Sequence, residues 1–134
     1  METQTDAALP LIGIVDIDES AREGISSLLR SAGYRTTAFE SAEAFLEDDH
    51  GDAVACLILD IDMPALRGIE LQRQLTRMNI SIPIIFVTAQ QDVLRARALK
   101  GGAGAVLGKP FAEEDLFGAI RSVLGFPGNS PRRE

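Results

Sequence analysis

Two acidic pairs carry the first hint of chemistry: Asp16 and Asp18 in GIVDIDES (residues 13–20), and Asp60 and Asp62 in LILDIDMPALRG (residues 57–68). Each pair follows an apolar run. A carboxylate is both an oxygen nucleophile and a hard metal ligand, so two such runs ending in acid suggest one shared acidic pocket. Two further reactive groups close apolar runs later in the chain, Thr88 in IIFVTA and Lys109 in GKP. A carboxylate, an opposed lysine, a hydroxyl and a further acid are the parts needed to move a phosphoryl group onto an aspartate. In that chemistry Asp60 attacks phosphorus, Lys109 and the Thr88 hydroxyl hold the phosphoryl oxygens, and the other acids hold a hard divalent cation. Taken singly, each residue has a plainer reading: a strand-end Asp is often a helix cap, and a lysine after a strand is often a surface lysine. Pro110 behind Lys109 restricts that position and allows a cis peptide bond.

Convergence depends on the elements that carry these residues. LIGIV (11–15), YRTTAF (34–39), ACLIL (55–59), IPIIFV (82–87) and GAVL (104–107) are short, aliphatic or β-branched runs bounded by polar residues or glycine, which predicts five strands. Helical patterns lie between them. Ser20 with Glu23 spells a capping box, and Ile25, Leu28, Leu29 and Ala32 recur at helical spacing until Gly33. Ser41 opens a second helix carrying Phe45 and Leu46. A third runs from about Leu66 to Arg77 with Leu71, Leu75 and Met78 on one face, and a fourth from about Gln91 to Lys100. A fifth starts near Glu113 and buries Leu116, Ile120, Val123 and Leu124. Strands alternating with helices predict an α/β fold, a doubly wound five-stranded parallel sheet covered on both faces. Right-handed crossovers favour the order 2-1-3-4-5, with the polar-alternating YRTTAF at an edge. Ligands bind such sheets beyond the carboxyl ends of the strands, at the switch between strands one and three. Asp16 and Asp60 lie at those two ends.

The 134 residues suit one buried domain, expected over residues 10–125, with a short extension at 1–9 and a linker-like tail, FPGNSPRRE, at 126–134. A net charge of −7 argues against nucleic-acid binding by this segment, since like charges repel phosphates. The single cysteine, Cys56, sits in an apolar run and reads as a small buried hydrophobe in a reducing compartment. The start METQTDAA has no signal-peptide pattern, and no apolar run reaches the ~20 residues that span a bilayer, so a cytoplasmic domain is expected.

The combination of IVD (14–16), LILDIDMPALRG, IIFVTA (84–89), KGGA and GKPF resembles the receiver domains of two-component response regulators, over residues ~10 to 125. The resemblance implies a flavodoxin-like receiver fold and a phosphoacceptor role for Asp60, served by a histidine kinase. It makes Thr88 the switch hydroxyl and Lys109 the phosphate-binding lysine. Metal ligands for Mg²⁺ would be Asp16, Asp60 and the backbone carbonyl of Asp62, with Met63-Pro64 and Gly68 shaping the loop after the phosphosite. In character the match is closest to receivers that precede a LuxR-type output domain. Such a domain signals to an output domain or partner protein, commonly through its fourth helix, fifth strand and fifth helix, so a homodimer or output contact is expected on that face. Arg95, Arg97 and Lys100 form a basic stripe on that fourth helix. The domain would be an acceptor rather than an enzyme, with at most slow self-dephosphorylation.

Three positions depart from the family pattern. Ile17 stands where a second adjacent acid, a direct metal ligand, is usual, so Mg²⁺ binding is expected to be weak. Asp18, one residue further on, is read first as a helix N-cap and second as a substitute ligand. Val106 replaces the usual switch aromatic, and Gly108 the acid that often precedes the lysine.

Ile17 and Val106 support an alternative, a pseudo-receiver that kept the fold and lost phosphorylation switching; the intact Asp60, Thr88 and Lys109 argue for the phosphoacceptor. A haloacid-dehalogenase-like phosphohydrolase also uses an apolar run followed by D-x-D, but it needs a second acid pair near the C-terminus, where Glu113, Glu114 and Asp115 instead begin a helix. AGAVLGKP (103–110) nearly spells a P-loop, yet Pro110 stands where a hydroxyl would bind magnesium. His50, in EDDHGD, reads as a solvated turn residue.

Overall fold

The computed structural model of the protein describes residues 10–16, 18–48, 53–60, 65–79, 81–89, 99–100 and 103–125. Five strands form one sheet: β1 (Leu11–Val15), β2 (Arg35–Phe39), β3 (Val54–Asp60), β4 (Ile84–Thr88) and β5 (Ala105–Gly108). Every pairing is parallel and the order is β2-β1-β3-β4-β5. This is the expected doubly wound arrangement, with the polar-alternating strand at an edge.

Each expected strand appears within a residue or two of its expected bounds. The central strands are apolar at nearly every position because both of their faces are covered. Side chains alternate between two cores. One core holds Val15, Leu57, Leu59, Ile84, Phe86 and Val106, packed against α2 (Ala42–Glu47) and α3 (Ala65–Arg77) through Phe45, Leu71 and Leu75. The other holds Ile12, Ile14, Cys56, Ile58, Ile85 and Val87, packed against α1 (Glu19–Ser31) and α4 (Glu113–Leu124) through Leu29, Leu116 and Ile120. Cys56 is fully buried, and loss of water pushes its thiol up to about 12.

The helix boundaries correct the sequence reading in places. α1 starts one residue after Asp18, whose carboxylate accepts the Ala21 amide at 3.0 Å, so the Ser20–Glu23 pair is not the cap. The chain leaves β1 at Val15 and is helical by Glu19, so Ser20 is already inside the helix. α1 ends as expected, with Gly33 at φ 97° and the Tyr34 amide bonded to the Leu29 carbonyl. Ser41 caps α2 by accepting the Ala44 amide at 3.0 Å. Met78, expected on the buried face of the third helix, is 54% exposed, because α3 ends at Arg77 and the chain turns through Asn79 at φ 61°. In α4, Leu116 and Ile120 are buried, whereas Val123 and Leu124 are only half-buried.

β5 and α4 meet closely. A Cβ built on Gly104 would lie 2.5 Å from Cγ1 of Val123, so only a hydrogen fits there. Of the expected fourth helix, Leu99 and Lys100 are helical; Arg95 and Arg97 lie outside the described residues, as do His50 and residues 126–134.

Candidate functional site

Strand register brings the chemistry together. Val15 of β1 pairs with Leu59 of β3, so the residues that follow, Asp16 and Asp60, emerge at one level. Thr88 pairs with Gly108, and the amide of Lys109 continues the ladder by donating to the Thr88 carbonyl at 2.8 Å. Asp16, Asp60, Thr88 and Lys109 therefore share the carboxyl edge of strands one, three, four and five. The first three are buried in spite of their polarity, Thr88 completely.

Buried polar groups need partners, and these have them. Lys109 Nζ donates to Asp60 Oδ2 at 2.8 Å, with the lysine partly open to solvent and the carboxylate nearly closed off. The Lys109-Pro110 peptide bond is cis. Asp16 Oδ1 accepts the Asp18 amide at 2.9 Å, and Asp60 is close enough for its charge to act on the Asp16 carboxyl.

Burial raises the Asp16 carboxyl to about 6; the Asp18 amide pulls the other way, the charge of Asp60 raises it further, and Lys109 lowers it. Asp16, buried beside Asp60, thus holds its proton to a higher pH than it would in water.

Oxygen donors of this kind suit a hard cation such as Mg²⁺. The residues present fit such an ion with two side-chain carboxylates. Among the described residues there is no group of three or more potential His, Cys, Asp or Glu ligands. Ile17 and Asp62 lie outside the described residues, and Gly68 falls within α3. Asp18 is exposed and spends one carboxylate oxygen on its helix cap. Glu113, Glu114 and Asp115 are exposed first-turn acids of α4, where they complement the helix dipole; they make no second acidic cluster.

One contact escaped the sequence reading. Arg22 Nη1 donates to the Asp16 carbonyl at 2.6 Å. The available signal was spacing: Arg22 falls six residues after Asp16, close enough for the first turn of α1 to fold back over the end of β1.

Residues 12–121, most of the chain, match the response regulator receiver domain family. The chain is a response regulator receiver domain. Aspartate phosphorylation and Mg²⁺ are typical of this two-component family. Among its relatives, the receiver is 47% identical over 115 residues to the response regulator protein TmoT of Ectopseudomonas mendocina, covering 85% of this chain and 52% of that protein. It is 40% identical over 125 residues to nodulation protein W of Bradyrhizobium diazoefficiens, covering 92% and 54%. Of solved structures, response regulator StyR shares 46% identity with a TM-score of 0.78, over 88% of this chain and 60% of that one. FixJ-N shares 33% identity with a TM-score of 0.78, over 87% and 94%. The receiver spans about half the length of the curated relatives it matches. No helix among its described residues is long and apolar enough to cross a membrane.

Proposed function

We propose that this receiver takes a phosphoryl group on Asp60 from a histidine kinase and passes the signal to an output domain or partner, such as one of the LuxR type, in the cytoplasm. The observation that carries the reading is the Asp60–Lys109 pair at 2.8 Å beside the buried Asp16. An Asp60 oxygen forms the new bond to phosphorus as the bond to the kinase imidazole breaks, and the imidazole leaves with the electron pair and takes up a proton. Lys109, already aimed at this carboxylate, moves onto the phosphoryl oxygens and neutralises charge there. The Thr88 hydroxyl holds another of those oxygens. Asp16, Asp60 and the Asp62 carbonyl would hold Mg²⁺, which when bound supplies positive charge beside the transferring group. The domain is an acceptor in this reading, with at most slow loss of its own phosphate.

The test is incubation with acetyl phosphate and Mg²⁺, borohydride trapping of the acyl phosphate and mapping of the modified residue. Asp60 alone should be labelled, and Asp60→Asn should abolish the label. Label that persists in Asp60→Asn overturns the assignment.

Mg²⁺ should bind weakly, since the Ile17 side chain offers no oxygen where a third carboxylate is usual in the family. Ile17→Asp should tighten Mg²⁺ in titration calorimetry, speed labelling and lower the melting temperature of the metal-free form through added like-charge repulsion. Asp18→Asn should leave Mg²⁺ binding unchanged if Asp18 serves only as a cap. Equal affinity in wild type and Ile17→Asp would remove Ile17 as the cause.

Val106 favours a second reading. It is buried among Phe86, Leu59 and their neighbours, and it has no ring to exchange between inward and outward positions. A pseudo-receiver that binds its partner regardless of phosphate would take no label under any of these conditions. Self-association through the helix expected from about Gln91 to Lys100, together with β5 and α4, belongs to the same proposal. Charge reversal at Arg95 and Arg97 that left sedimentation and partner binding unmoved would remove that face from it.

A further inference from the structure

The carboxylate of Asp16 is held by a small hydrogen-bonded loop. The Asp18 amide donates to Asp16 Oδ1 at 2.9 Å, two residues on, which is the contact of an Asx turn. One end of this turn is tied to the sheet, because the Asp16 amide donates to the Phe39 carbonyl at 3.2 Å. The other end is tied to α1, where Asp18 accepts the Ala21 amide with its side chain. Arg22 reaches both ends, one through the first backbone bond of the helix and the other through its side chain. Its amide donates to the Asp18 carbonyl at 3.0 Å, and its guanidinium donates to the Asp16 carbonyl at 2.6 Å.

The second contact has a consequence beyond satisfying a carbonyl. The Asp16 carbonyl is the last backbone acceptor after β1, so the guanidinium ties α1 to the residue whose carboxylate enters the pocket. A charge-assisted hydrogen bond of this length is among the stronger ties available to a neutral acceptor. With Asp16 Oδ1 committed to the turn, the side chain stays beside Asp60, which follows the register partner of Val15. The guanidinium is partly buried at this position, and its contact is with the backbone rather than with an acid.

We infer that Arg22 is a positioning residue of the phosphoacceptor pocket, holding the β1–α1 turn so that the Asp16 carboxylate stays against Asp60. The functional half of this inference rests on Asp60 being the phosphoacceptor; the geometric half does not.

The test compares wild type with Arg22→Met, which keeps length and removes the donors, and with Arg22→Lys, which keeps one charged donor. The Asp18 amide reports the turn directly, so its proton shift and exchange rate are followed by NMR in metal-free protein beside the amides of Leu29 and Ile120. In Arg22→Met the Asp18 amide should move and exchange faster while the other two stay put. Acetyl phosphate labelling of Asp60 should slow about tenfold, the usual cost of losing an outer-shell partner. Arg22→Lys should restore most of both. An unchanged Asp18 amide overturns the inference, and so does equal loss of protection at Leu29 and Ile120, which would make Arg22 a stability residue only. A displaced Asp18 amide with an unchanged labelling rate overturns the functional half. If wild type takes no label, the phosphoacceptor reading fails, and the amide comparison alone decides whether Arg22 positions Asp16.

Discussion

A carboxyl buried against a second carboxylate gives up its proton late, and in this receiver that delay becomes a stability term. Asp16 titrates near 6 in the folded domain against 3.8 for the free side chain. The folded state therefore binds the proton more tightly than the unfolded chain. This contribution is complete below about pH 3.8 and is lost as pH rises through about 6. Asp16→Asn keeps the acceptor for the Asp18 amide and removes the titration. Without metal, the variant should gain stability relative to wild type as pH goes from 4 to 7 and be the more stable protein at pH 7.5. Urea unfolding in EDTA at several pH values checks this, and parallel stability curves would remove the buried charge of Asp16 as a source of strain. At this scale Asp16, Asp60, Thr88 and Lys109 were legible in the sequence, because a residue that ends a buried parallel strand has nowhere to go but the carboxyl edge. Arg22 was not. Its partner is a backbone carbonyl, which leaves no trace in residue type, and a first-turn arginine looks solvated in any pattern.

The elements themselves were legible for the same physical reason that they fold. Strands buried on both faces need continuous apolar runs, as β1, β3 and β4 have, and such runs have few other uses, whereas β2 at the edge alternates in polarity. Boundaries depended on what lies outside each run. The S-x-x-E pattern at Ser20 is a sound capping signal, but the short exit from β1 lets Asp18 cap first. Met78 continues the spacing of Leu71 and Leu75, yet the helix has ended before its side chain could turn inward. Nothing in the sequence marked Gly104 as the point where β5 and α4 touch. Adding a methyl there drives it into Cγ1 of Val123, whose branched side chain is stiff. Gly104→Ala should cost about 1–3 kcal/mol, as overpacking of a filled site does. In a Val123→Ala background the same change should cost much less, since the obstructing methyl is gone. Equal costs in the two backgrounds, measured by thermal or chemical unfolding, would place the strain elsewhere.

For the whole molecule, the sheet separates chemistry from packing. Two apolar cores fill its faces, and the polar machinery is confined to the edge where the strands end. Cys56 lies deep in one of those cores, with its thiol pushed up to about 12, so at neutral pH it is both unreachable and protonated. Maleimide or iodoacetamide should leave the native domain unmodified over hours and react fully once urea unfolds it. Rapid modification of the folded protein would mean that the core opens far more readily than its packing implies. That silence has a practical side. The sequence contains one cysteine, and the fold hides it. A cysteine placed at exposed Ser31, where α1 ends on the side of the sheet away from Asp60, would be the sole thiol a dye or spin label could find. The domain thus arrives already blank for a reporter, one that could register a change at the acidic edge without occupying it.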